Sequence, residues 1–544
     1  MLQSSRRHAP LLVLLLVCLG LGAWTTAGLT WPHDVDLYRN MAQAQTIADG
    51  APFADPYYRG EKAWYNPLTP ALVAGLSRLT GLDVPRLYAQ SGAYLNLLVP
   101  LSFYALAHAL FGRGAAVAAT FYVVFLGHPE EPGWMRPMYS PWLFAGTFGQ
   151  CFFYLGLVAY GRARERQARA WFAAAGVLLG LAFLSHTAPA LVLGGVVAIE
   201  AVRLPLRVEI RGPEDGAGHA WLGALALLVA LPFLATIAGV YHLKLVNPAG
   251  NDWFWSLFDP ERLLPYLVGH VSPSAAIAGV GLALILFRGE RGLARRLFLT
   301  WLAVAATLTL YGLVSQWAAR RGVRLPNAVP LFHFWLYVKA AGALGFGYAL
   351  AEAVRLGARR LGEARRAWLA RNATVLLTLG AVLAVFLGTP PLLARKEFDR
   401  SRRQALKESA QKWRDLLRDH LRRHSRPDEV VLADGRDALM VVGPTGRRTV
   451  TVLRNFANPY VAWEPRASDA RSMLKALSRA DAQAFAELAA VHDVGFVLHR
   501  RAREEGLDLR ELPFLKEELR VEYFTLYRVD RSVAAGKTTS VPGP

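Results

Sequence analysis

Asp34 and Asp36, followed by Tyr38, Arg39 and Asn40, stand just beyond the first strongly apolar stretch of the chain, where a membrane-spanning helix would leave the bilayer. A carboxylate in that place can take the proton of a hydroxyl as its oxygen attacks an electrophilic carbon held at the membrane surface. It can equally cap the helix that begins near Asp36, a frequent task for Asp. A second polar cluster, His128, Glu130, Glu131 and Arg136, follows the third apolar stretch. Arg320, Arg321 and Arg324 gather before the tenth stretch, and Lys339 lies inside it. An uncompensated cation within a span costs at least about 2.5 kcal/mol, so Lys339 is expected to face a polar cavity. His186 and His333 read as hydrogen-bonded helix-end histidines before they read as ligands.

The elements that must hold these residues are membrane helices. Of the 544 residues 53% are hydrophobic, and the mean hydropathy of +0.24 is too apolar for a soluble enzyme. A hydrocarbon core of roughly 30 Å is crossed by about 20 helical residues. Such windows predict a polytopic α-helical membrane protein with about eleven spans, near 10–30, 86–111, 114–127, 141–160, 170–185, 188–202, 219–240, 274–288, 297–316, 331–354 and 373–393. Loops rich in Lys and Arg tend to stay in the cytoplasm. Here the basic stretches (Arg6 and Arg7, Arg113, 162–169, 203–211, 288–296 and 355–371) fall in alternate loops. The N-terminus is therefore expected in the cytoplasm of a bacterium or archaeon, with the C-terminal segment and the loops 31–85, 128–140 and 241–273 outside the plasma membrane. Arg320, Arg321 and Arg324 depart from that trend. Retention for binding an anion competes with a tolerated short outer loop.

The net charge of +20 and the pI near 10.2 sit mostly in the short basic loops, so topology accounts for them and no nucleic-acid partner is expected. Cys18 and Cys151 both fall in spans, and no disulfide is expected. Residues 1–30 also have the pattern of a secretory signal peptide, whose removal would leave the remaining topology unchanged. In the long loop 241–273, Trp253, Phe254 and Trp255 suit an interfacial belt or sugar stacking.

Composition changes at Arg395. Residues 1–394 form the membrane domain, 395–425 a connecting amphipathic helix, 426–532 an α/β domain, and 533–544 a polar, disordered tail. Within the third part, strands are expected at 429–434, 449–453, 494–498 and 521–527, with one helix at 469–492. No Gly-rich phosphate fingerprint is present, so this domain reads as accessory or acceptor-binding. The first outer loop is expected to press on the membrane, with Tyr57, Tyr58, Trp64 and Tyr65 at the interface.

Four features of the first 160 residues recur together elsewhere: Asp34 four residues before Tyr38, a short helix closed by Gly50, Gly60 with Glu61 and Lys62, and Tyr65 with Asn66 and Pro67 before the next apolar helix. In order and spacing they resemble the GT-C superfamily of membrane glycosyltransferases that use polyprenyl-phosphate-linked sugars. The nearest flavour is that of protein O-mannosyltransferases and lipid A aminoarabinose transferases; the catalytic subunit of oligosaccharyltransferase is more distant. Val35 and Asn66 stand where those families commonly have Glu and Pro, which leaves the sugar open.

The resemblance implies an inverting transfer from a polyprenyl-linked donor to a protein, glycolipid or polysaccharide on the outer face, amid membrane lipids, with Asp34 ahead of Asp36 as general base. The leaving phosphate would need cations such as Arg39, Lys62, Arg136, Arg320, Arg321, Arg324 and Lys339. In the oligosaccharyltransferase branch, acidic residues of two outer loops hold a divalent cation. By that analogy Asp36 or Asp34 with Glu130, Glu131 and His128 would bind Mg²⁺ or Mn²⁺, against solvated loop carboxylates and a metal-free O-mannosyltransferase-like branch. Two other classes compete: a transporter or lipid-linked-sugar flippase, and a catalytically silent envelope protein that binds a glycan through its C-terminal domain. A transporter would favour an inverted repeat, which the sequence does not display.

Overall fold

The computed structural model describes residues 2–125, 138–206, 215–247, 260–269, 271–288, 292–323, 325–326, 329–388, 391–501 and 509–530. They form two compact units. One takes Met1–Gly28, Gln90–Pro232 and Asn251–Arg403; the other takes Leu29–Ala89, Phe233–Gly250 and Gln404–Pro544.

The first unit is helical. Among its described residues the helices include Leu98–Phe125, Ala145–Arg166, Arg169–Ser185, Thr187–Leu206, Asp215–Leu234, Leu293–Arg320, Leu331–Arg359 and Glu363–Gly388. Five described stretches are long and apolar enough to cross a membrane: Ala9–Thr26, Val84–Phe125, Asp215–Val240, Leu293–Arg320 and Leu331–Arg359. The bent pair Glu261–Gly269 and Pro273–Arg288 makes a sixth if it is one span. The two spans expected on either side of Arg113 meet at Gly112, whose φ of 78° and ψ of 172° break the Leu98–Phe125 helix. Glycine reaches that conformation without steric cost.

Packing in this unit follows the logic of helices in lipid. Leu227, Leu228 and Leu231 point outward although they are large and apolar, as they would if hydrocarbon were the solvent. Inside, Phe153 meets Trp301 and Tyr337 edge-on at 5.4 and 4.8 Å. Gly281 and Gly345 leave no room for a Cβ between their backbones, the close approach that small residues give membrane helices. Buried Glu200 is paired with Arg296 Nε at 2.8 Å and accepts the Thr300 hydroxyl at 2.9 Å.

In the second unit a five-stranded sheet runs in the order β2-β1-β3-β5-β4. The strands are β1 Val430–Leu432, β2 Arg448–Thr449, β3 Val494–Arg500, β4 Leu515–Arg520 and β5 Phe524–Val529. β1 pairs in parallel with β2 and β3, while β5 is antiparallel to β3 and β4. Alternation along β1 sends Val430 and Leu432 into a core with Met473, Leu477 and Phe485. It sends Val431 to the opposite face, against Trp413, Leu417 and Leu421.

β4 has no counterpart among the expected strands because it reads Leu-Lys-Glu-Glu-Leu-Arg, charge-rich as an edge strand tends to be. The single helix expected over 469–492 is two, Trp463–Ser478 and Ala482–His492. Ala480 takes a positive φ of 57° between them, and Asp481 caps the second by accepting the Ala484 N–H at 3.0 Å. The connecting helix over 395–425 is likewise divided, into Pro391–Ser409 and Lys412–His424.

The first outer loop belongs to this second unit, together with 404–544, and not with the helical unit. Its helix Val35–Ala48 buries every residue from Leu37 to Thr46. Tyr57 and Tyr58, expected at the membrane interface, instead pack against Leu439, Val452 and Phe456. Their apolar rings find a protein core there, which satisfies the same hydrophobic demand that a membrane would.

Candidate functional site

Asp34 is the N-cap of the Val35–Ala48 helix, with φ −96° and ψ 137°. Its Oδ1 accepts the Asp36 N–H at 2.9 Å, and its carbonyl accepts the N–H groups of Leu37 and Tyr38 at 3.0 and 3.3 Å. Capping thus uses one carboxylate oxygen and fixes the direction of the other. No hydrogen bond to Oδ2 occurs among the described residues. The side chain is half-buried. Burial first, then the nearby charge of Asp36, pushes its carboxyl up to about 7, the range in which a carboxylate can exchange a proton near neutral pH.

Asp36 is held differently. It forms an ion pair with Arg39 Nη1 at 3.3 Å, and the Arg39 guanidinium lies 3.7 Å from the centroid of the Tyr65 ring. Arg39 Nε also donates to Asn40 Oδ1 at 3.2 Å. These contacts occupy Arg39 as a brace at the start of the helix. They also meet the charge of Asp36, so Asp36 fits a divalent cation poorly. Glu130, Glu131, His128 and Arg136 lie outside the described residues, as does Arg324. Among the described residues no three His, Cys, Asp or Glu side chains gather in a metal-ligating arrangement.

Lys62 shares the unit with Asp34 but is exposed; its backbone N–H and carbonyl both meet the Tyr241 hydroxyl, at 2.7 and 2.9 Å. The other expected cations belong to the helical unit. Arg320 closes the Leu293–Arg320 helix and Arg321 caps it, a place where cations complement the helix dipole. Lys339 is 6% exposed within Leu331–Arg359. His186 and His333 meet with ring centroids 4.3 Å apart and their planes tilted by 44°.

Several residues around Asp34 carry no local signature. Trp31 donates through Nε1 to Asp415 at 3.0 Å, and Ser409 Oγ accepts the N–H groups of Thr30 and Trp31 at 3.1 and 3.0 Å. Tyr38 donates to Glu408 at 3.4 Å, and Glu408 is paired with Arg414 at 2.6 Å. The clue available beforehand was the amphipathic stretch after Arg395, whose apolar face had to be covered by some other element.

Farther along the loop, Asp55 Oδ1 accepts the N–H groups of Tyr57 and Tyr58 at 2.7 and 2.8 Å. Its Oδ2 accepts from Asn458 Nδ2 at 2.9 Å. Burial pushes the Asp55 carboxyl up to about 6, against those three hydrogen bonds. The Val35–Ala48 helix is held at its far end by Arg448, which donates to Thr46 at 2.9 Å, and by Asp49, which lies 3.4 Å from both Arg422 and Arg447.

No protein-family model matches the sequence, and no curated protein matches it. Among solved structures the chain is similar to ArnT from Cupriavidus metallidurans. The apo state matches with TM-score 0.56 and 14% identity, over 96% of this chain and 98% of that one. ArnT bound to undecaprenyl phosphate matches with TM-score 0.55 and 14% identity, over 98% and 99%. Arabinofuranosyltransferase AftD from Mycobacteria matches with TM-score 0.51 and 15% identity, over 96% of this chain but 40% of AftD. At such identities the shared property is the fold. The likeness in fold to ArnT runs along nearly the whole of both chains.

Proposed function

We propose that the chain is an integral-membrane, inverting glycosyltransferase. It moves a hexosyl or pentosyl unit from a polyprenyl phosphate or diphosphate to a protein, glycolipid or polysaccharide on the outer membrane face. The observation that supports this most is the fold shared with ArnT along almost the full length of both chains, in one case with undecaprenyl phosphate bound to ArnT. The reading includes eleven spans, a cytoplasmic N-terminus and an extracytoplasmic α/β domain that carries the first loop.

In the reaction the acceptor oxygen attacks the anomeric carbon from the face opposite the phosphate. The C–O bond to phosphate breaks and its electron pair leaves on the phosphate oxygen, while the hydroxyl proton passes to Asp34 Oδ2. Lys339, Arg320, Arg321, Arg324 and Arg136 are the cations assigned to the developing phosphate charge, with Lys62 at the loop; Arg39 serves to hold Asp36. The test is a donor screen with purified protein and defined polyprenyl-phosphate sugars. Release of polyprenyl phosphate coupled to acceptor glycosylation is expected with one of them, and its absence with every donor and acceptor overturns the reading.

The pH dependence follows from the Asp34 carboxyl, held near 7 by burial and by Asp36. A base works only when ionised, so the transfer rate is expected to fall as pH drops below about 7. In Asp36→Asn the neighbouring negative charge is gone and Arg39 is released from its ion pair. Both changes favour ionised Asp34 and move the acid limb to lower pH. A pH–rate profile of wild type and Asp36→Asn measures this shift; superimposable limbs would contradict it.

A further inference from the structure

The second unit contains a cavity of about 520 Å³ that the transfer step described above leaves unused. It opens between the start of the Lys412–His424 helix, residues 434–441 and the β5 end of the sheet. One wall is aromatic: Trp413 lies 5.1 Å from Phe524 and 5.9 Å from Tyr523 by ring centroids. The other walls carry the apolar Met440 and Val441 beside three carboxylates, Glu408, Asp434 and Asp437, and three arginines, Arg414, Arg436 and Arg500.

These charges are matched within the walls. Glu408 pairs with Arg414 at 2.6 Å. Asp437 takes two hydrogen bonds from Arg500, one of them from Nε at 3.2 Å. Asp434 caps the short helix after it by accepting the backbone N–H of Arg436 at 3.0 Å, so these two side chains balance only in the count of charge. An anion entering the cavity would meet three carboxylates and a cation three guanidiniums, so neither is favoured. The two ion pairs and the capping carboxylate still have lone pairs and N–H donors to offer to hydroxyls. Trp413 lines the cavity at 6% exposure, and its Nε1 is buried without a hydrogen-bond partner among the described residues. Such a donor calls for an acceptor. An aromatic wall beside fixed polar groups of both signs, with no net charge, suits an uncharged polyhydroxylated ligand.

We infer that this cavity seats an uncharged saccharide as part of the acceptor. The inference rests on the glycosyltransferase reading for the word acceptor, and on the cavity alone for the word saccharide. A short path joins the two. Glu408, on the cavity wall, accepts the Tyr38 hydroxyl at 3.4 Å. Tyr38 stands one helical turn after Asp34, whose carbonyl accepts its N–H at 3.3 Å. The saccharide seat and the proposed base are therefore two ends of one short, buried connection.

The test is binding to the full-length protein in detergent without donor, followed by tryptophan fluorescence. The probes are mannotriose, arabinotriose, trigalacturonate, and bicelles carrying a neutral digalactosyl lipid. A saturable signal is expected with a neutral trisaccharide if the acceptor is a free glycan. It is expected only with the digalactosyl bicelles if the saccharide is a glycolipid headgroup. Tyr523 is exposed, so Tyr523→Ala can be made without opening the core. It is expected to weaken binding about tenfold with an unchanged melting temperature, while Tyr523→Phe keeps it. Tighter binding of trigalacturonate than of the neutral probes overturns the inference. So does the absence of any saturable signal up to about 50 mM, or wild-type affinity in Tyr523→Ala. A protein that turns over a lipid-linked donor yet fails here loses only the saccharide seat. One that binds the saccharide but turns over no donor loses the transferase reading and keeps the seat.

Discussion

Asp34→Asn is expected to lower sugar transfer from the lipid-linked donor by about 10²- to 10⁴-fold, the usual worth of a positioned general base. The substitution separates the two tasks that the geometry assigns to this side chain. Asparagine caps helices as well as aspartate does, and its Oδ1 can still accept the Asp36 N–H that Asp34 now holds at 2.9 Å. If capping were the whole role, turnover would stay near wild type. If Oδ2 takes the hydroxyl proton, kcat collapses while donor binding and KM for donor change little. Asp34→Ser provides the same separation with a different cap. Steady-state kinetics on a defined donor, beside a donor-binding measurement, decides between the two outcomes.

The same variant has a stability signature of definite sign. The folded carboxyl sits near 7, whereas an unfolded Asp titrates near 3.9. Between those values the folded state holds a proton that the unfolded state has lost, so wild-type stability falls as pH rises through that window. Asn removes the titration. Asp34→Asn is therefore expected to compare better with wild type above pH 7 than near pH 4, in apparent melting temperature.

What could be read beforehand was local. The Val35–Ala48 helix follows from its cap and its apolar spacing, and Gly50 ends it with a φ of 98°. Arg113 marked a turn between spans, and the turn lies at the adjacent Gly112. β1 and β3 were visible as short apolar runs because both of their faces are buried. The missing parts were long-range. Trp31 with Asp415 and Asp55 with Asn458 are partners 384 and 403 positions apart, and no periodicity connects such residues. For that reason the first loop read as a membrane-surface segment: its tyrosines announced burial without saying against what. The same limit applies to the cavity at Trp413, since its walls come from residues near 410, 437, 500 and 524.

Asp55→Ala is expected to cost about 2–4 kcal/mol of stability in the second unit, through loss of acceptors. The carboxylate is completely buried and serves three donors: the N–H groups of Tyr57 and Tyr58, and Asn458 Nδ2. Alanine leaves all three without a partner in a place water does not reach. Asp55→Asn tests the account more finely. Its Oδ1 can keep both backbone bonds, but its amide would set one NH₂ against another at Asn458. Asn458 cannot relieve this by flipping, because its Nδ2 also donates to the Lys62 carbonyl at 3.2 Å and its Oδ1 accepts the Tyr460 N–H at 3.0 Å. Asp55→Asn should therefore be destabilised by about half as much, near 1–2 kcal/mol. Because burial holds the Asp55 carboxyl near 6, wild-type stability should fall as pH rises from about 3.9 to 6, and both variants should lose that dependence. Hydrogen exchange over 53–63 and 454–461 in the full-length protein reports the effect directly, since both segments meet at this carboxylate. Equal protection in wild type and Asp55→Ala would mean that the loop is held by its tyrosine packing alone. Faster exchange in both segments together, with transfer activity lost in parallel, would tie the seating of the Asp34 helix to the hydrogen bonds of Asp55, whose partners Tyr57 and Tyr58 pack with Ala42 of that helix.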